Sequence, residues 1–407
     1  MPAMVNTVLP PGGSPLSKPS LFSLFLVFLR LGLTSFGGPI AHLGYFRTEF
    51  VTRRHWVSDE SFAGIVALCQ FLPGPASSQT GIAIGLIRGG LSGALLAWLG
   101  FTLPSAALMI GFAYASGAID AQGLTLWTHG LLVVAVAVVA QAVWSMARSL
   151  APDLPRAAMA LTAAAAVLTV PLSWTPLAVL AFAALAGRYL LNAKAMSGNA
   201  DIPPTVPPGL ARLAGVTFLA LLVLLPVAAY LTGDHVLEIV DRFFRVGSLV
   251  FGGGHVVLPM LESEVVPPGW IAQRDFLAGY GAAQALPGPL FTFAAYLGAA
   301  MKLAPNGWPG GLIALAAIFA PSFLLVIATL PFWNGLRRNA AARAALLGVN
   351  AAVVGILLAA LYNPVWVSAI HNAKDFILAA IAFVALQLRA PPIAVVAATV
   401  IAARLLA

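Results

Sequence analysis

The sequence predicts an all-α polytopic membrane protein, an inverted-topology repeat of two homologous halves joined by an extra transmembrane helix. Three observations carry this. Of 407 residues, 60% are hydrophobic and 8% charged, with a mean hydropathy of +0.95, whereas soluble domains carry about 25% charged residues. Runs such as Leu91–Tyr114, Leu131–Met146, Leu210–Leu231 and Gly310–Leu330 approach or exceed the roughly 20 residues that span a bilayer. Finally, Gln70-Phe71-Leu72-Pro73-Gly74-Pro75 returns as Gln284-Ala285-Leu286-Pro287-Gly288-Pro289. Long runs rich in Ala, Leu and Gly argue against a β-barrel, whose strands are short and alternate with period two.

In chain order, residues 1–20 form a Pro- and Gly-rich tail with one basic residue, Lys18. It reads as flexible and lacks the charge–apolar–small pattern of a signal peptide. The apolar run Leu21–Gly38 ends in Phe36-Gly37-Gly38-Pro39, and a polar loop with Arg47, Glu49, Arg53 and Arg54 follows. Phe62–Ile87 is apolar but interrupted by Pro73-Gly74-Pro75. Two prolines without amide donors around a glycine cannot continue a helix, so re-entrant or broken helices are expected at both Phe-Gly-Gly and Pro-Gly-Pro. Helices are expected at about 91–116, 127–147, 157–170 and 174–192. A Pro-rich linker spans 193–209, and one lone helix covers about 210–231.

The pattern then restarts. Arg30-Leu31-Gly32, Phe36-Gly37-Gly38 and Glu49 match Arg245-Val246-Gly247, Phe251-Gly252-Gly253 and Glu264, each 215 positions on. Trp56, Gln70 and Pro73-Gly74-Pro75 match Trp270, Gln284 and Pro287-Gly288-Pro289 at 214; Pro104-Ser105 matches Pro321-Ser322 at 217. The expected organisation is a tail over 1–20, a first repeat over 21–192, a linker with the connecting helix over 193–235, and a second, inverted repeat over 236–407.

Charge supports the inversion. The loop after the first Phe-Gly-Gly carries Arg47, Arg53 and Arg54; its counterpart carries Glu262 and Glu264 with only Arg274. After the third hydrophobic segment the bias reverses, with Asp120 in one half and Arg337, Arg338 and Arg343 in the other. The positive-inside rule predicts this for halves inserted upside down to each other. If both breaks are re-entrant hairpins, Arg47, Arg53, Arg54, Arg88, Arg148 and Arg156 share one side with Lys18, Arg188, Lys194, Arg212, Arg337, Arg338, Arg343 and Arg389. The N-terminus is then cytoplasmic and the C-terminus external.

Broken helices at membrane depth are tolerated where they are buried in protein or line a watery cavity, and paired breaks in repeated halves point to a transport site. A helix restarting at Pro75 or Pro289 would offer the amides of Ser77, Ser78 and Gln79, or of Phe291, Thr292 and Phe293, to an anion. The alternative is a pair of kinks in packed helices; recurrence with the flanking Gln favours a site. Phe36-Gly37-Gly38 and Phe251-Gly252-Gly253 could approach a ligand or merely pack helices. Arg30 and Arg245 are costly in apolar surroundings, so they serve the site or gating, or else pair with Glu49 and Glu264. The candidate substrate set is thus Arg30, Ser35, Gly37, Gly38, Gln70, Pro73, Gly74, Pro75, Ser77, Ser78 and Gln79, with Arg245, Gly252, Gly253, Gln284, Pro287, Gly288, Pro289 and Thr292. Candidates for proton coupling or gating are Glu49, Glu264, His42 and Asn350; the bland readings are loop acids paired with arginines, a polar histidine, and an inter-helix hydrogen bond.

Other classes are disfavoured. The net charge of +8 is scattered between apolar runs, which excludes a nucleic-acid patch. The single Cys69 excludes an internal disulfide. No Walker-type motif or metal-ligand spacing occurs, so no cofactor, metal or enzymatic chemistry is expected.

These motifs resemble the chromate ion transporter family, long-chain two-domain type. The resemblance rests on Phe28 to His42 with Phe36-Gly37-Gly38-Pro39, Trp56…Phe62, Leu72-Pro73-Gly74-Pro75…Gln79, Phe101…Pro104-Ser105, and the second set at Phe251-Gly252-Gly253-Gly254-His255, Gln284–Pro289 and Pro321-Ser322. It covers about 20–390. The second half departs from it at Gly254-His255, so anything carried by His42 is not duplicated. The resemblance implies a multi-pass inner-membrane exporter of chromate that confers resistance, with sulfate as an analogue. Partners are then the bilayer and the oxyanion, with protons and a second copy as candidates. A sulfate permease and a non-transporting scaffold or sensor are the rival readings. A cysteine placed at Arg53 (R53C) should react with an impermeant reagent only from the cytoplasmic side; labelling from outside rejects the re-entrant arrangement.

Overall fold

The structure, a computed structural model, describes residues 19–118, 121–170, 175–192, 206–251, 257–336, 338–388 and 390–406. The tail up to Lys18, Asp120, most of the 193–209 linker including Lys194, Gly252, Gly253, Arg337 and Arg389 lie outside the described residues. Helix α1 is Leu21–Thr34, started by the Ser20 hydroxyl accepting from the Ser23 amide. Helix α2, Gly38–Phe46, carries Pro39 in its first turn and runs on as a π-helical turn, Arg47–Arg53. Helix α3, Asp59–Phe71, is capped by Ser58, with Asp59 and Glu60 in the first turn, where acids favour the helix dipole. After Pro73-Gly74-Pro75 comes α4, Ala76–Ala118.

α4 is a folded hairpin. Gly90 takes φ 64°, ψ −155°, and the backbones of Gly85 and Gly93 meet with no room for a β-carbon on either. A short arm (76–89) therefore turns back into a long arm (91–118). At 1.5 Å per residue, α2, α3 and the short arm reach only about 14, 20 and 21 Å, less than a bilayer's roughly 30 Å. They are half-helices, and contacts show which way they run. His42 Nδ1 lies 3.4 Å from Ser77 Oγ, Phe28 and Phe46 are edge to face at 5.9 Å, and Gly81 abuts both rings. α2 and the short arm thus descend beside α1 toward its starting face, and Leu21 packs at Gly89 there. Both breaks in this half are re-entrant from the N-terminal face.

The long arm crosses to the far face and α5, Ala121–Leu150, returns; α6, Leu154–Thr169, and α7, Thr175–Leu190, follow. The connecting helix α8, Pro208–Thr232, lies at the periphery against the next segment, α9, His235–Leu249. The second half then repeats the first element by element: α9, α10 (Val257–Val265), α11 (Gln273–Ala285), a 3-10 turn at Leu290–Thr292, α12 (Phe293–Ala300) and α13 (Gly307–Thr329). It closes with α14 (Trp333–Leu336), α15 (Ala340–Ala360), a π-turn over Leu361–Trp366, α16 (Val367–Ala369), α17 (Ala373–Gln387) and α18 (Pro392–Leu406). α12 and α13 form the counterpart hairpin, closed by Gly298 against Gly310. Its turn lies on the opposite face, where the Trp308 amide donates to Tyr114 Oη at 3.0 Å near the far end of α4. The second half therefore enters from the other side, as the reversed charge bias requires.

Among the described residues five segments are long and apolar enough to cross a membrane: 76–116, 129–150, 208–232, 307–332 and 340–369. In the first, only the long arm crosses. The halves also interlock, because α6 and α7 pack on α15 while α17 and α18 pack on α5. Close approach at Gly187–Gly348 makes one such contact, an arrangement of small residues suited to helices in lipid. Gly85→Leu should force the hairpin apart and cost about 3 kcal/mol. Thermal unfolding in detergent should show this against Gly111→Leu, where a β-carbon meets nothing within 4 Å.

Candidate functional site

The two Pro-Gly-Pro turns do not simply end helices. Gly74 has φ +121° and Gly288 φ +92°, values that residues with a β-carbon rarely adopt. The Gly74 amide donates to the Val250 carbonyl at 2.6 Å, and the Gly288 amide donates to the Ser35 carbonyl at 2.9 Å. Ser35 and Val250 are equivalent positions, each just before its Phe-Gly-Gly. A β-carbon on Gly74 would also sit 3.0 Å from Ser322 Oγ, and one on Gly288 would sit 2.8 Å from Ser105 Oγ. Each turn is thus seated on the Phe-Gly-Gly and the Pro-Ser of the opposite half.

The walls of the two turns are polar. Ser35, Ser77, Ser78, Gln79 and Ser322 are buried, and among the described residues Ser35 Oγ, Ser78 Oγ, Gln79 Oε1 and Ser322 Oγ have no partner. Gln79 Nε2 donates across the turn to the Pro73 carbonyl at 2.6 Å. Buried polar atoms are normally bonded, so a cluster of open ones at a helix start is suited to a polar ligand. The expected set of free amides needs correction. The Gln79 amide bonds the Pro75 carbonyl at 2.9 Å, and the Thr292 amide bonds the Pro289 carbonyl at 3.0 Å in a 3-10 turn. Phe293 likewise bonds back to Leu290 and Phe291. A helix leaves only its first amides unbonded, so the open donors are those of Ala76, Ser77 and Ser78 in one half and of Leu290 and Phe291 in the other.

A cleft of about 360 Å³ connects the halves. Gly37, Gly38 and Pro39 at the start of α2 face Gln284, Gly288 and Leu290 across it, with Val138 and Gln141 of α5 as one wall. Leu386 and Pro392, where α17 gives way to α18, place its mouth on the N-terminal face. Gln284 meets the Tyr280 hydroxyl, and its Nε2 has no partner among the described residues. Ser77, Ser78 and Gln79 do not line this cleft. The expected pocket shared by two Pro-Gly-Pro helix starts is therefore replaced by one between a Phe-Gly-Gly and the opposite Pro-Gly-Pro, because an inverted repeat interdigitates unlike motifs.

The repeated charges are largely engaged with one another. Arg245 bonds Glu264 at 3.1 Å and Asp241 at 2.9 Å. Arg242 donates to the Glu264 carbonyl at 2.6 Å and lies 4.4 Å over the Trp270 ring. Glu49 is buried in the π-helical turn, bonded by Arg54 at 2.7 Å and Arg53 at 3.5 Å. Arg30 and Gln70 are exposed on α1 and α3. His42 is buried edge-on to Phe101 at 5.3 Å, and Asn350 on α15 has a buried Oδ1 without a partner among the described residues. Thr292 is buried, its hydroxyl spent on the Pro289 carbonyl. Sequence reasoning did not single out Ser105, Ser322, Tyr280 or Gln141 for the site; the repeated Pro-Ser pair was the one available signal.

The sequence pattern of the family described as Chromate transporter matches residues 22–188 and again 237–404. A chromate transport protein of Pseudomonas aeruginosa is 29% identical over 347 residues, covering 84% of this chain and 80% of its own. A probable chromate transport protein of Synechococcus elongatus is 27% identical over 389 residues, 90% and 89% of the two chains. A chromate transport protein of Cupriavidus metallidurans is 28% identical over 353 residues, 84% and 82%. No solved structure matches.

The Arg245 cluster yields a direct test. Arg245→Ala leaves Asp241 without its cation and Glu264 with Arg242 alone at 4.0 Å, and should destabilise the protein by about 2 kcal/mol. Adding Glu264→Gln should recover part of that loss, which a double-mutant cycle on detergent melting would measure.

Proposed function

Because the chain belongs to the chromate transporter family, we propose that it exports chromate, a tetrahedral oxyanion, from the cytoplasm and so confers resistance. The single observation that carries the reading is the cross-half cleft. It joins a helix start at Gly38, the Gln284 Nε2, which has no partner among the described residues, and the Gly288 turn, donors that match an oxyanion without a fixed positive charge to trap it. Its volume lies in the range of ligand pockets, and its mouth is on the face assigned to the cytoplasm by the arginine bias. Substrate would be held by Gly37, Gly38, Gln284 and Gly288 on that side. On the other side of the pseudo-two-fold, the Gly74 turn with Ser35, Ser77, Ser78, Gln79 and Ser322 would take it next. Arg30, Arg245, Glu49 and Glu264 would shape the field and the gating of the re-entrant segments rather than bind substrate directly.

The direction follows from the membrane potential. With the interior negative, each exported elementary charge gains about 2.3 kcal/mol per 100 mV, so a dianion gains roughly twice that. The protein is then a multi-pass inner-membrane transporter with a cytoplasmic N-terminus and an external C-terminus. Its repeats would be 21–192 and 236–407, and transport would need no cofactor.

Inverted membrane vesicles should accumulate radiolabelled chromate under an imposed potential. Gln284→Leu and Gly288→Leu should abolish that flux and cellular resistance while leaving the protein in the membrane. Full resistance in both variants would reject the cleft as the site. Flux that sulfate blocks and chromate does not sustain would make the protein a sulfate permease instead.

A further inference from the structure

A second cleft, of about 240 Å³, opens on the face opposite the N-terminus. Its lining comes from the ends of α6 and the start of α7, from α15 and its exit turn, and from α10. Those elements are the repeat counterparts of α17, α18, α5 and α2, which line the first cleft. The two clefts thus share counterpart elements, one on each face, with Ile356 and Leu168 of the second matching Val138 and Leu386 of the first, but the second is lined further along α10 and by no residue of the first-half Pro-Gly-Pro turn. What differs is chemistry. Among its described lining residues the second cleft holds one charged group, Glu262, with Ser263, Thr175 and Asn363 as polar neighbours. The position equivalent to Glu262 in the first half is Arg47, which is spent on Asp59 at 2.8 Å.

Glu262 makes no ion pair among the described residues, unlike its neighbour Glu264. On α9, His235 and Glu238 pair with each other, and Asp241, Arg242 and Arg245 surround Glu264. Arg274 and Asp275 stand at the start of α11, and neither lines the cleft. α15, α6 and α7 bring Asn363 and Thr175 but no charge to it. His255 lies outside the described residues. Glu262 falls outside the five candidate spans, and its burial pushes the carboxyl up to about 7. It is neutral below that pH and ionised above it.

We propose that the second cleft is the far-side mouth of the anion path and that Glu262 is its proton-binding site, whose charge decides whether an anion can enter from that face. Ionised, the carboxylate repels an incoming oxyanion from a cleft whose described lining holds no cation to offset it. Protonated, it turns the mouth into a neutral hydrogen-bond donor that admits one. Export then becomes self-rectifying: the released anion is driven off by the ionised group, and re-entry requires a proton from the same solution. The path part rests on the transport reading above; proton binding by Glu262 does not.

Two measurements separate these. In purified protein, infrared difference spectra between acid and alkaline pH should show a protonated-carboxyl band that disappears with a transition near 7 and is missing from E262Q, whether or not chromate is carried. In right-side-out vesicles, whose exposed face is the far face, chromate entry into the wild type should fall by about tenfold as the outside pH rises from about 6 to about 8, equivalent to about 1.4 kcal/mol of repulsion. In E262Q entry should stay high across that range; the substrate's own protonation is common to both proteins. E262Q keeping the wild-type pH profile, or its spectrum keeping the titrating band, overturns the proposal. Absence of chromate flux in both proteins at every pH rejects the transport reading and with it the path part, leaving the infrared result to decide proton binding. Should E262Q fold poorly, E262N and E262A carry the same comparison, with membrane levels checked by immunoblot.

Discussion

The fold depends on a reciprocal backbone clasp. In lipid, each backbone N–H or C=O left open by a broken helix carries a penalty of several kcal/mol. Here the break in one half is closed by the break in the other: the Gly74 amide takes the Val250 carbonyl, and the Gly288 amide takes the Ser35 carbonyl. Neither half can satisfy its own turn by this route, so the two re-entrant systems are stable only together. The exchange of α6–α7 onto α15 and of α17–α18 onto α5 has the same effect on a larger scale.

This clasp explains why unlike motifs meet. Inversion carries each Pro-Gly-Pro past its twin and onto the opposite Phe-Gly-Gly, which leaves clefts on opposite faces in place of one central pocket. Donors around the clefts come mainly from backbone and amides, while Arg245 is neutralised by Glu264 and Asp241, Glu49 is held by Arg54, and Arg30 lies exposed on α1. Neutral donors suit a transported anion, because a site that binds too firmly cannot release.

Equivalent positions have diverged where the two faces need different fields. Arg47 and Glu262 occupy one repeat position, as do Phe-Gly-Gly-Pro and Phe-Gly-Gly-Gly. A duplicated scaffold thereby acquires polarity without losing its symmetry of backbone contacts.

Much of this is written in the sequence. Low charge and long apolar runs fix the membrane class, matched motifs fix the repeat, and opposite arginine bias fixes the inversion, because each is a local property of composition or spacing. The breaks are equally legible, since proline and glycine act on their own backbone. Only the tertiary structure decides who answers them. That Gly74 meets Val250, that Ser322 and Ser105 back the turns, and that Glu262 has no ion pair among the described residues while Glu264 is clamped are all outcomes of contacts between distant segments. Such contacts leave no periodicity or spacing to read; they arise when two inverted half-helix systems must satisfy each other's hydrogen bonds in a medium without water.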